Sequence, residues 1–378
     1  MNLVLSDEQV LLQQTAREFV TKNSSLRRIR ALRDSGEPQG FSRDLWKQMA
    51  DLGWLGIPFP TIVGGADMGY TDLMVVLEEL GRGLMPEPVL SSVLLVGAAV
   101  QLAGTGEQRQ ALLAQVIRGD LLVALGYQER GSRYDPLHVE TRAHRTTSGW
   151  ALRGEKVHVL DGFGADKLIV SARVDGAPTA ADGIALFVID GRAPGLSIER
   201  EQRIDNHNAA LMRLDGVSAD AVLGTVGGGG AILQQILDYA TIGLTAEMLG
   251  SMSAAFATTL DYLRTRKQFG VAIGSFQALK HRAARMYIET ELARSAVMAA
   301  HMALDERSSD VPRLASLAKA RCSDALILIA NETIQMHGGI GMTDEHDAGF
   351  FLKRARVAEI TFGDAAYHRN RYAELHGY

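Results

Sequence analysis

Two segments in the last third of the chain combine cations, glycines and amide side chains that could bind a phosphorylated ligand. The first, residues 264–270, carries three cations, one aromatic side chain and a closing glycine. Arg266 beside a glycine turn could hold a diphosphate, because a guanidinium donates two parallel hydrogen bonds to phosphate oxygens. The same residues are typical of a helix C-terminus, where basic side chains favour the negative end of the helix dipole. Both interpretations of this segment remain open.

The second segment is residues 335–341, in which Gln335 closely precedes Gly338 and Gly339. Glycines let a backbone come close to a ligand and leave N–H groups available as donors. A glycine-rich helix end has the same sequence pattern, so the pattern alone does not decide. A further glycine run, residues 227–230, lacks the Lys-Ser/Thr of a phosphate-binding loop and predicts a flexible joint.

The composition excludes several classes of protein. Lys+Arg 39 and Asp+Glu 44 give a formal net charge of −5, whereas nucleic-acid-binding domains usually carry a basic face. A hydrophobic share of 47% with 22% charged residues is that of a folded globular protein. Cys322 is the one cysteine of the sequence, so a disulfide framework and a thiolate metal cluster are excluded. The histidines have no metal-ligand spacing, and no metal site is predicted.

No segment of the sequence indicates export or membrane insertion. The first nine residues contain no basic region and soon turn acidic, unlike a secretory signal. The longest apolar run, residues 89–103, is shorter than the ~20 residues that a membrane span needs. We therefore expect a cytoplasmic protein without a membrane or nucleic-acid partner.

The elements that must position the two glycine-containing segments follow a helix–strand–helix order. Helical periodicity dominates residues 6–119, starting at a capping box in which Ser6 is followed by Gln9. Short strands without intervening helices fill residues 120–224, which predicts an antiparallel sheet or small barrel rather than βαβ units. The strand candidates are residues 150–154, 157–159, 167–172, 183–188 and 209–214.

Long helices return after residue 230. They are predicted over residues 231–263, 276–304 and 311–336, with one or two shorter helices within 345–376. The predicted fold class is an α+β multidomain protein. Its parts are an N-terminal helical domain (1–119), a middle antiparallel β-barrel-like domain (120–225) and a C-terminal four-helix bundle (226–378).

Taken together, these segments closely resemble the acyl-CoA dehydrogenase family. The matching motifs are residues 266–270 (RKQFG), 273–277 (IGSFQ), 335–339 (QMHGG), 64–69 (GGADMG) and 154–156 (GEK). The resemblance covers essentially the whole chain in the same helix–strand–helix order. The C-terminal motifs are highly specific to the family.

The resemblance implies an enzyme of lipid β-oxidation with FAD as cofactor and an acyl-CoA thioester as substrate. It implies α,β-dehydrogenation to a trans-2-enoyl-CoA, with electrons passed to an electron-transfer flavoprotein. It also implies a tetramer in which the flavin lies between the β domain of one subunit and the C-terminal bundle of its neighbour. By motif position, the residues expected to bind the cofactor are Arg266, Phe269, Gln277, Gln335, Gly338, Gly339, Tyr127 and Gln128.

The sequence departs from the family pattern around the flavin and around CoA. His158 and Leu160 stand where the family more often has an aromatic residue and a threonine, so the usual hydroxyl near the flavin N5 is missing. Residues 238–241 lack the arginine that many members carry on this helix. An expected contact to the adenine end of CoA is therefore missing as well.

Dehydrogenation requires a base that removes the α-proton while a hydride leaves the β-carbon. Family members carry a glutamate at one of two positions, and here these positions hold Phe362 and Ala240. Glu247 is the remaining candidate, because it stands alone in an apolar stretch two helical turns from Ala240. The chain resembles a subset of actinobacterial and steroid-degrading members, some of them heterotetrameric, that have Glu at this place and Phe-Gly-Asp near the C-terminus.

Alternatives to a catalytic Glu247 remain open. Glu247 could instead pair with an arginine of a neighbouring helix, Arg282 or Arg285, in a purely structural role. Asp364 is a second candidate base. The chain could also lack a base and be a non-catalytic or half-site subunit of a heterotetramer. The resemblance allows either a homotetramer or a heterotetramer with a second chain of the family.

Overall fold

The computed structural model of the protein describes residues 4–147 and 149–378. Ser148 and the first three residues of the predicted domain 1–119 therefore lie outside the described residues. Contacts divide the chain into two compact units. The helical unit comprises Met1–Ala31, Tyr70–Met85 and Thr241–Tyr378, and the sheet unit comprises Leu32–Gly69 and Pro86–Ala240. The three-domain division of the sequence stays a prediction.

Helices occupy both ends of the chain, in the order that the sequence predicts. The α-helices of the described residues are α1 (Asp7–Asn23), α2 (Leu26–Ser35), α3 (Arg43–Asp51), α4 (Tyr70–Arg82), α5 (Ala98–Ala103), α6 (Gly106–Gln108), α7 (Ala114–Ile117), α8 (Gly229–Thr265), α9 (Gln277–Asp305), α10 (Val311–His337), α11 (Ala348–Ile360) and α12 (Ala365–Leu375). Short 3-10 turns occur at Trp54–Gly56, Thr61–Val63, Ile273–Ser275 and Gly338–Met342, and π-helical turns at Val89–Gly97 and Arg109–Leu113. Among these elements, none combines the length and apolar composition that crossing a bilayer requires.

The start of α1 confirms the capping box that the sequence predicts. The Ser6 hydroxyl accepts from the Gln9 backbone N–H at 3.2 Å, and the Gln9 side chain accepts from the Ser6 N–H at 3.1 Å. These reciprocal bonds satisfy two N–H groups that the first helical turn would otherwise leave without partners. The predicted joint at residues 227–230 is shorter than its glycine run, because Gly229 and Gly230 already belong to α8.

The three long helices are confirmed with ends within two residues of the prediction. The region after residue 345 forms two shorter helices, α11 and α12. Helix α10 packs against α9, α11 and α12, so it lies at the centre of the C-terminal helices. Helices α1 and α4 belong to the same unit, and α4 packs against both α1 and α9.

One eight-stranded sheet organises the sheet unit. Its strands are β1 (Val123–Gly126), β2 (Arg142–Thr146), β3 (Gly149–Leu160), β4 (Lys167–Arg173), β5 (Ile184–Asp190), β6 (Leu196–Arg200), β7 (Ala209–Ser218) and β8 (Ala221–Leu223). The order is β6-β7-β3-β2-β4-β5-β8, with β1 added beside β4. Most pairs are antiparallel as predicted, but β4 pairs in parallel with β1 and β2. Over the described strands the path has two ends, so the barrel-like domain of the prediction is an open sheet.

Strand β3 is longer than the sequence predicts and carries a bulge. The two candidate strands at residues 150–154 and 157–159 are one strand in the structure. Its register against β7 shifts between Lys156 and Val159, and His158 has a φ of +53°. A bulge interrupts the two-residue alternation of a strand. For that reason, the sequence pattern divides β3 into two.

Two glycines let α4 and α8 cross with their backbones in contact. A methyl group on Gly81 would overlap the backbone carbonyl of Glu247, and one on Gly250 would overlap the carbonyl of Glu78. The Ser251 hydroxyl donates to the Gly81 carbonyl at 2.9 Å across the same crossing. The crossing therefore fixes the position of the α8 backbone at Glu247.

We expect Gly81→Ala and Gly250→Ala each to lower the free energy of unfolding by about 1–3 kcal/mol or more, because the added methyl meets backbone that cannot rotate away. Urea denaturation followed by far-UV circular dichroism measures this loss. Gly349→Ala in α11 is the matched control, since its Cβ meets no atom within 4 Å. That variant should be neutral or stabilised by about 0.5–1 kcal/mol. Equal effects at all three glycines would contradict the close crossing.

Candidate active site

Glu247 lies in an apolar section of α8. Its neighbours Leu244, Ala246, Met248 and Leu249 are buried and are good helix formers. The Glu247 side chain retains 13% of its exposure. A carboxylate in such surroundings has lost most of the water that would stabilise its charge.

Arg354 on α11 supplies the compensating charge. Its Nη2 donates to Glu247 Oε2 at 2.9 Å, and the Arg354 side chain is only 11% exposed. The sequence suggests Arg282 or Arg285 as the partner in this pair, and both suggestions are wrong. Arg282 binds Glu332 at 3.0 Å, and Arg285 is exposed to solvent. Sequence reasoning missed Arg354 because it lies 107 residues from Glu247 along the chain.

The two oxygens of the Glu247 carboxylate have different surroundings. Oε2 is held by Arg354, whereas Oε1 makes no hydrogen bond to any described residue. Burial raises the pKa of Glu247 above its ordinary value of 4.5, and the Arg354 charge partly opposes that rise. The group is therefore an ionisable carboxylate with one anchored oxygen and one oxygen able to accept a proton.

The other positions considered for a base offer less. Ala240 and Phe362 carry no proton-accepting side chain. Asp364 is the N-cap of α12, and its Oδ1 accepts from the Tyr367 backbone N–H at 2.8 Å. A capping carboxylate satisfies the first turn of its helix and lies where the positive end of the helix dipole favours it. This gives Asp364 a structural role at the start of α12.

A buried lysine holds the turn that follows α11. Lys319 on α10 donates to the Gly363 carbonyl at 2.7 Å, to the Glu359 carbonyl at 2.9 Å and to the Ser323 hydroxyl at 3.1 Å. These three acceptors match the three donors of an ammonium group. Burial lowers the pKa of Lys319 to about 7. The sequence gives no sign of this role, because Lys319 is simply one polar residue on a helix.

The predicted cofactor residues after α8 lie on an exposed connection. A short hairpin of β9 (Lys267–Gln268) and β10 (Val271–Ala272) joins α8 to α9. The Phe269 ring at its tip is 90% exposed, and its centroid lies 6.1 Å from that of Phe276. Arg266 and Gln277 are exposed, and the Arg266 guanidinium makes no ion pair with any described residue. An available guanidinium beside an exposed aromatic ring fits the diphosphate-binding role that the sequence predicts.

The second predicted cofactor segment lies where α10 ends. Gln335, Gly338 and Gly339 are exposed, and a Cβ at either glycine would meet no atom within 4 Å. Gly338 has a φ of +64°, and its N–H donates to the Gln335 carbonyl, so this N–H is not available to a ligand. His337 is buried beneath this turn, with its ring centroid 4.4 Å from that of Tyr262. The turn therefore has a buried aromatic ring on one side and exposes Gly338 and Gly339 to solvent.

Tyr127 and Gln128 follow β1 in the sheet unit, and both are partly exposed. The Gln128 side-chain amide donates to the Arg133 carbonyl at 2.8 Å, which turns this side chain towards its own loop. The predicted cofactor residues are therefore distributed over both units, with six in the helical unit and two in the sheet unit.

The two positions that depart from the family pattern have clear structural roles. His158 at the β3 bulge binds Glu201 through Nδ1 at 2.8 Å, and its backbone N–H donates to the same carboxylate at 3.2 Å. Burial works to raise the pKa of Glu201, but its bonds to His158 outweigh that effect and lower it. Leu160 ends β3 with an apolar side chain. Neither position offers a hydroxyl donor.

Family models match almost the whole chain. The model of the acyl-CoA dehydrogenase N-terminal domain matches residues 6–120. The models of the middle and C-terminal domains of the same family match residues 124–217 and 227–375.

Individual relatives extend over the same length. The mitochondrial 2-methylacyl-CoA dehydrogenase of Solanum tuberosum is 30% identical over 375 residues, which are 97% of this chain and 90% of the relative. Among solved structures, the Tcur3481-Tcur3483 steroid ACAD G363A variant is 32% identical, with a TM-score of 0.87 and 98% of both chains covered. The ChsE4-ChsE5 complex from Mycobacterium tuberculosis has a chain that is 25% identical, with a TM-score of 0.89 over 99% of this chain and 98% of that chain.

We expect Arg354→Met to destabilise the protein in a pH-dependent manner. At pH 8 the buried Glu247 carboxylate loses its cation, which should cost about 3–5 kcal/mol of unfolding free energy. Removing the cation raises the pKa of Glu247 further, so the folded variant takes up a proton as the pH falls, and the loss shrinks towards pH 5. Urea denaturation at a series of pH values measures both effects.

Arg282→Met is the matched control for this prediction, because it breaks the more exposed pair with Glu332. Solvent screens such a pair, so the loss should not exceed about 1 kcal/mol and should change little between pH 5 and 8. A loss for Arg354→Met that stays constant across this range would mean that the Glu247 charge is not what Arg354 compensates.

Proposed function

This chain belongs to the acyl-CoA dehydrogenase family and is an FAD-dependent oxidoreductase acting on CH–CH bonds, and from that premise we propose Glu247 as its catalytic base. One observation carries the proposal. Glu247 is a nearly buried carboxylate with a raised pKa, one oxygen held by Arg354 and one oxygen without a hydrogen bond to the described residues. A base of this kind suits removal of a weakly acidic proton beside a thioester carbonyl.

The proposed step breaks two C–H bonds of the acyl group. Glu247 Oε1 accepts the α-proton, and the electron pair of that bond forms the new double bond as the β-hydrogen leaves with its own electron pair. When bound, FAD supplies the acceptor for this hydride. The products are the trans-2-enoyl-CoA, reduced cofactor and a protonated Glu247.

Arg354 sets the charge state from which Glu247 acts. Its cation favours the carboxylate over the carboxylic acid, whereas burial favours the acid. The balance leaves the pKa raised, so Glu247 is a stronger base than a solvated glutamate and is still able to ionise. Since Arg354 binds Oε2, it also orients the carboxylate so that Oε1 is the oxygen that receives the proton.

Residues of both units are proposed to hold FAD. Arg266 would bind the diphosphate, with Phe269 and Gln277 beside it on the exposed connection between α8 and α9. Gln335, Gly338 and Gly339 would bind the adenosine and diphosphate end. Tyr127 and Gln128 would contact the flavin ring. The exposed and unpaired Arg266 guanidinium supports the diphosphate assignment most directly.

We further propose an electron-transfer flavoprotein as the electron acceptor. This follows from the family resemblance and from the need to reoxidise the cofactor after each turnover. The acyl group is the finer part of the proposal. Likeness to a steroid ACAD and to a 2-methylacyl-CoA dehydrogenase supports testing ring-bearing and 2-methyl-branched thioesters before straight chains.

A second candidate function is that of a half-site subunit, which needs a partner chain for a complete flavin site. The observation that favours it is the pairing of His158 with Glu201, together with apolar Leu160, where the family usually offers an aromatic residue and a hydroxyl. The relative in the ChsE4-ChsE5 complex supports a search for such a partner.

An exposed apolar surface on the helical unit supports an oligomer of either kind. We define the α9 face as the large apolar side chains exposed along the hairpin and the first half of α9: Phe269, Val271, Phe276, Tyr287, Ile288 and Leu292. Several large apolar side chains exposed along one segment usually mark an interaction site. We propose that a second chain of the family covers the α9 face.

Glu247→Gln should lower kcat by about 10²–10⁴-fold while FAD remains bound, because the amide keeps the shape of the side chain but cannot accept the α-proton. The measurement is anaerobic bleaching of the flavin absorption by a panel of steroid-bearing, 2-methyl-branched and straight-chain acyl-CoA thioesters. Asp364→Asn is the matched control, since asparagine also caps helices, and it should keep wild-type bleaching.

Unchanged bleaching with Glu247→Gln would sink the proposed base. Wild-type protein that binds FAD but is not bleached by any thioester, and becomes active only with a second family chain, would favour the half-site subunit instead.

Placing charges on the α9 face should dissociate the oligomer. Ile288→Asp combined with Leu292→Asp puts two carboxylates where a partner surface is expected, so light scattering should report a smaller mass than for the wild type. Leu11→Asp, on an exposed leucine of α1 outside the α9 face, should leave the mass unchanged. A wild-type protein that is monomeric alone and in the presence of a second family chain would refute the interface.

A further inference from the structure

The sheet unit contains a buried cation that the proposed mechanism does not use. Lys156 on β3 has no exposed side-chain surface. Its ammonium donates to Glu129 Oε1 at 2.6 Å, to the Ser171 hydroxyl at 3.0 Å and to the Tyr127 backbone carbonyl at 3.3 Å. All three donors of the ammonium group are therefore used.

Glu129, the partner carboxylate, is fully engaged as well. Besides Lys156, it accepts from the backbone N–H groups of Glu140 at 2.6 Å and Thr141 at 3.0 Å. Burial lowers the pKa of Lys156 to about 8, against the opposing effect of Glu129. Burial acts to raise the pKa of Glu129, but Lys156 and the hydrogen bonds outweigh it and lower that pKa. Near neutral pH both members of the pair are therefore mainly charged.

The residues next to this pair hold the same short segment, residues 127–129. At the β3 bulge, the Val157 N–H leaves the ladder to β7 and donates to the Gln128 carbonyl at 2.9 Å. The Lys156 ammonium holds both neighbours of Gln128, through the Tyr127 carbonyl and the Glu129 carboxylate. Three consecutive residues of the segment are thus bound by two consecutive residues of β3.

Replacing a buried ion pair with an apolar pair of similar volume is often neutral or stabilising, because burying two ions costs several kcal/mol that their attraction must first recover. An apolar pair, however, makes no directed hydrogen bonds. Only a buried donor can hold the Tyr127 carbonyl and so fix the backbone from which the Tyr127 and Gln128 side chains project. The bulge in β3 belongs to the same arrangement, since the Val157 N–H at the bulge donates to the Gln128 carbonyl.

We propose that Lys156, through its ion pair with Glu129, is a positioning residue that holds Tyr127 and Gln128 in the geometry required to bind the flavin of FAD. The inference rests on the proposed function, which assigns the flavin to these two residues. It goes beyond that function by giving Lys156 a role in affinity for the cofactor that does not pass through the stability of the fold.

The test separates positioning from stability with two variants of the full chain. Lys156→Met removes the ammonium and leaves the Glu129 carboxylate without its cation. The double variant Lys156→Met/Glu129→Gln removes both charges, so neither ion of this pair is left without its partner. Three quantities are measured for each protein: thermal stability, hydrogen–deuterium exchange of residues 126–133 without FAD, and the Kd for FAD with the absorption maximum of the bound flavin.

We expect Lys156→Met to lose stability, to exchange amides of the segment at least tenfold faster and to bind FAD at least tenfold more weakly. The double variant should regain much of the stability but not the slow exchange, the FAD affinity or the position of the absorption maximum. Ser91→Ala is the matched control, because it removes another buried hydrogen bond of the sheet unit, 2.5 Å to Asp161. It should lose stability with wild-type exchange in the segment and wild-type FAD affinity.

Recovery of FAD affinity together with stability in the double variant would overturn the proposal, since Lys156 would then act through the fold alone. Faster exchange with unchanged FAD affinity would overturn it too, because the segment would not serve the flavin. If Lys156→Met does not fold, the double variant alone decides. A wild-type chain that binds no FAD would contradict the proposed function, whereas unchanged variants beside a wild type that binds FAD would contradict only the role of Lys156.

Discussion

The buried carboxylate of Glu247 is the constraint on which the helical unit depends. Removing an ion of this size from water costs several kcal/mol even after relaxation, and a fold retains it only where a partner of opposite charge lies in contact. Arg354 at 2.9 Å meets that requirement, so α11 has to lie with this residue against α8. Lys319 holds the turn after α11, and the Gly81–Gly250 crossing holds α8 from the side of α4. Lys319 thus fixes α11, which carries Arg354, and the glycine crossing fixes α8, which carries Glu247.

The helix that crosses α8 follows the same rule with its own charges. Glu78 and Glu79 on α4 are both buried, and both are paired. Arg294 of α9 binds both oxygens of Glu78 at 2.9 and 3.0 Å. Glu79 accepts from Arg17 of α1 at 2.7 Å and from Arg82, one turn along α4, at 3.1 Å. These guanidinium contacts tie the helices together, and the fork of Arg17 Nε and Nη2 on the two Glu79 oxygens fixes direction as well as distance. They therefore align α1, α4 and α9 around the crossing that positions Glu247.

What the sequence could predict depended on how far apart the interacting residues lie along the chain. The capping box of Ser6 and the three long helices follow from local pattern, and the structure confirms them. The joined strand β3, its bulge and the parallel pairs of β4 depend on partners that the local pattern does not contain. Glu247 could be singled out because a lone charge in an apolar helix is unusual. Arg354 and Lys319 could not, because a cation on a helix is ordinary until its distant partner is known.

Lys156, Lys319 and Glu247 are buried ionisable groups, and they differ in which partners stay beside them when each gains or loses a proton. This difference limits the role that each residue can have. The lowered folded-state pKa values of Lys156 and Lys319 mean that the unfolded chain binds more protons. Their contributions to stability therefore grow as the pH rises towards 10.5, from about 7 for Lys319 and from about 8 for Lys156. Glu247 has the opposite sign, because its raised pKa makes the fold less stable as the pH rises above 4.5. A proton lost from Lys319 leaves only carbonyls and a hydroxyl behind, so the turn that it holds tolerates the change. A proton lost from Lys156 leaves the Glu129 carboxylate in the core without its cation, so the attraction of Glu129 opposes the proton loss that burial favours. Glu247 alone of the three keeps a fixed cation beside it in both protonation states, which is what the proposed role as a base that takes up and releases a proton requires.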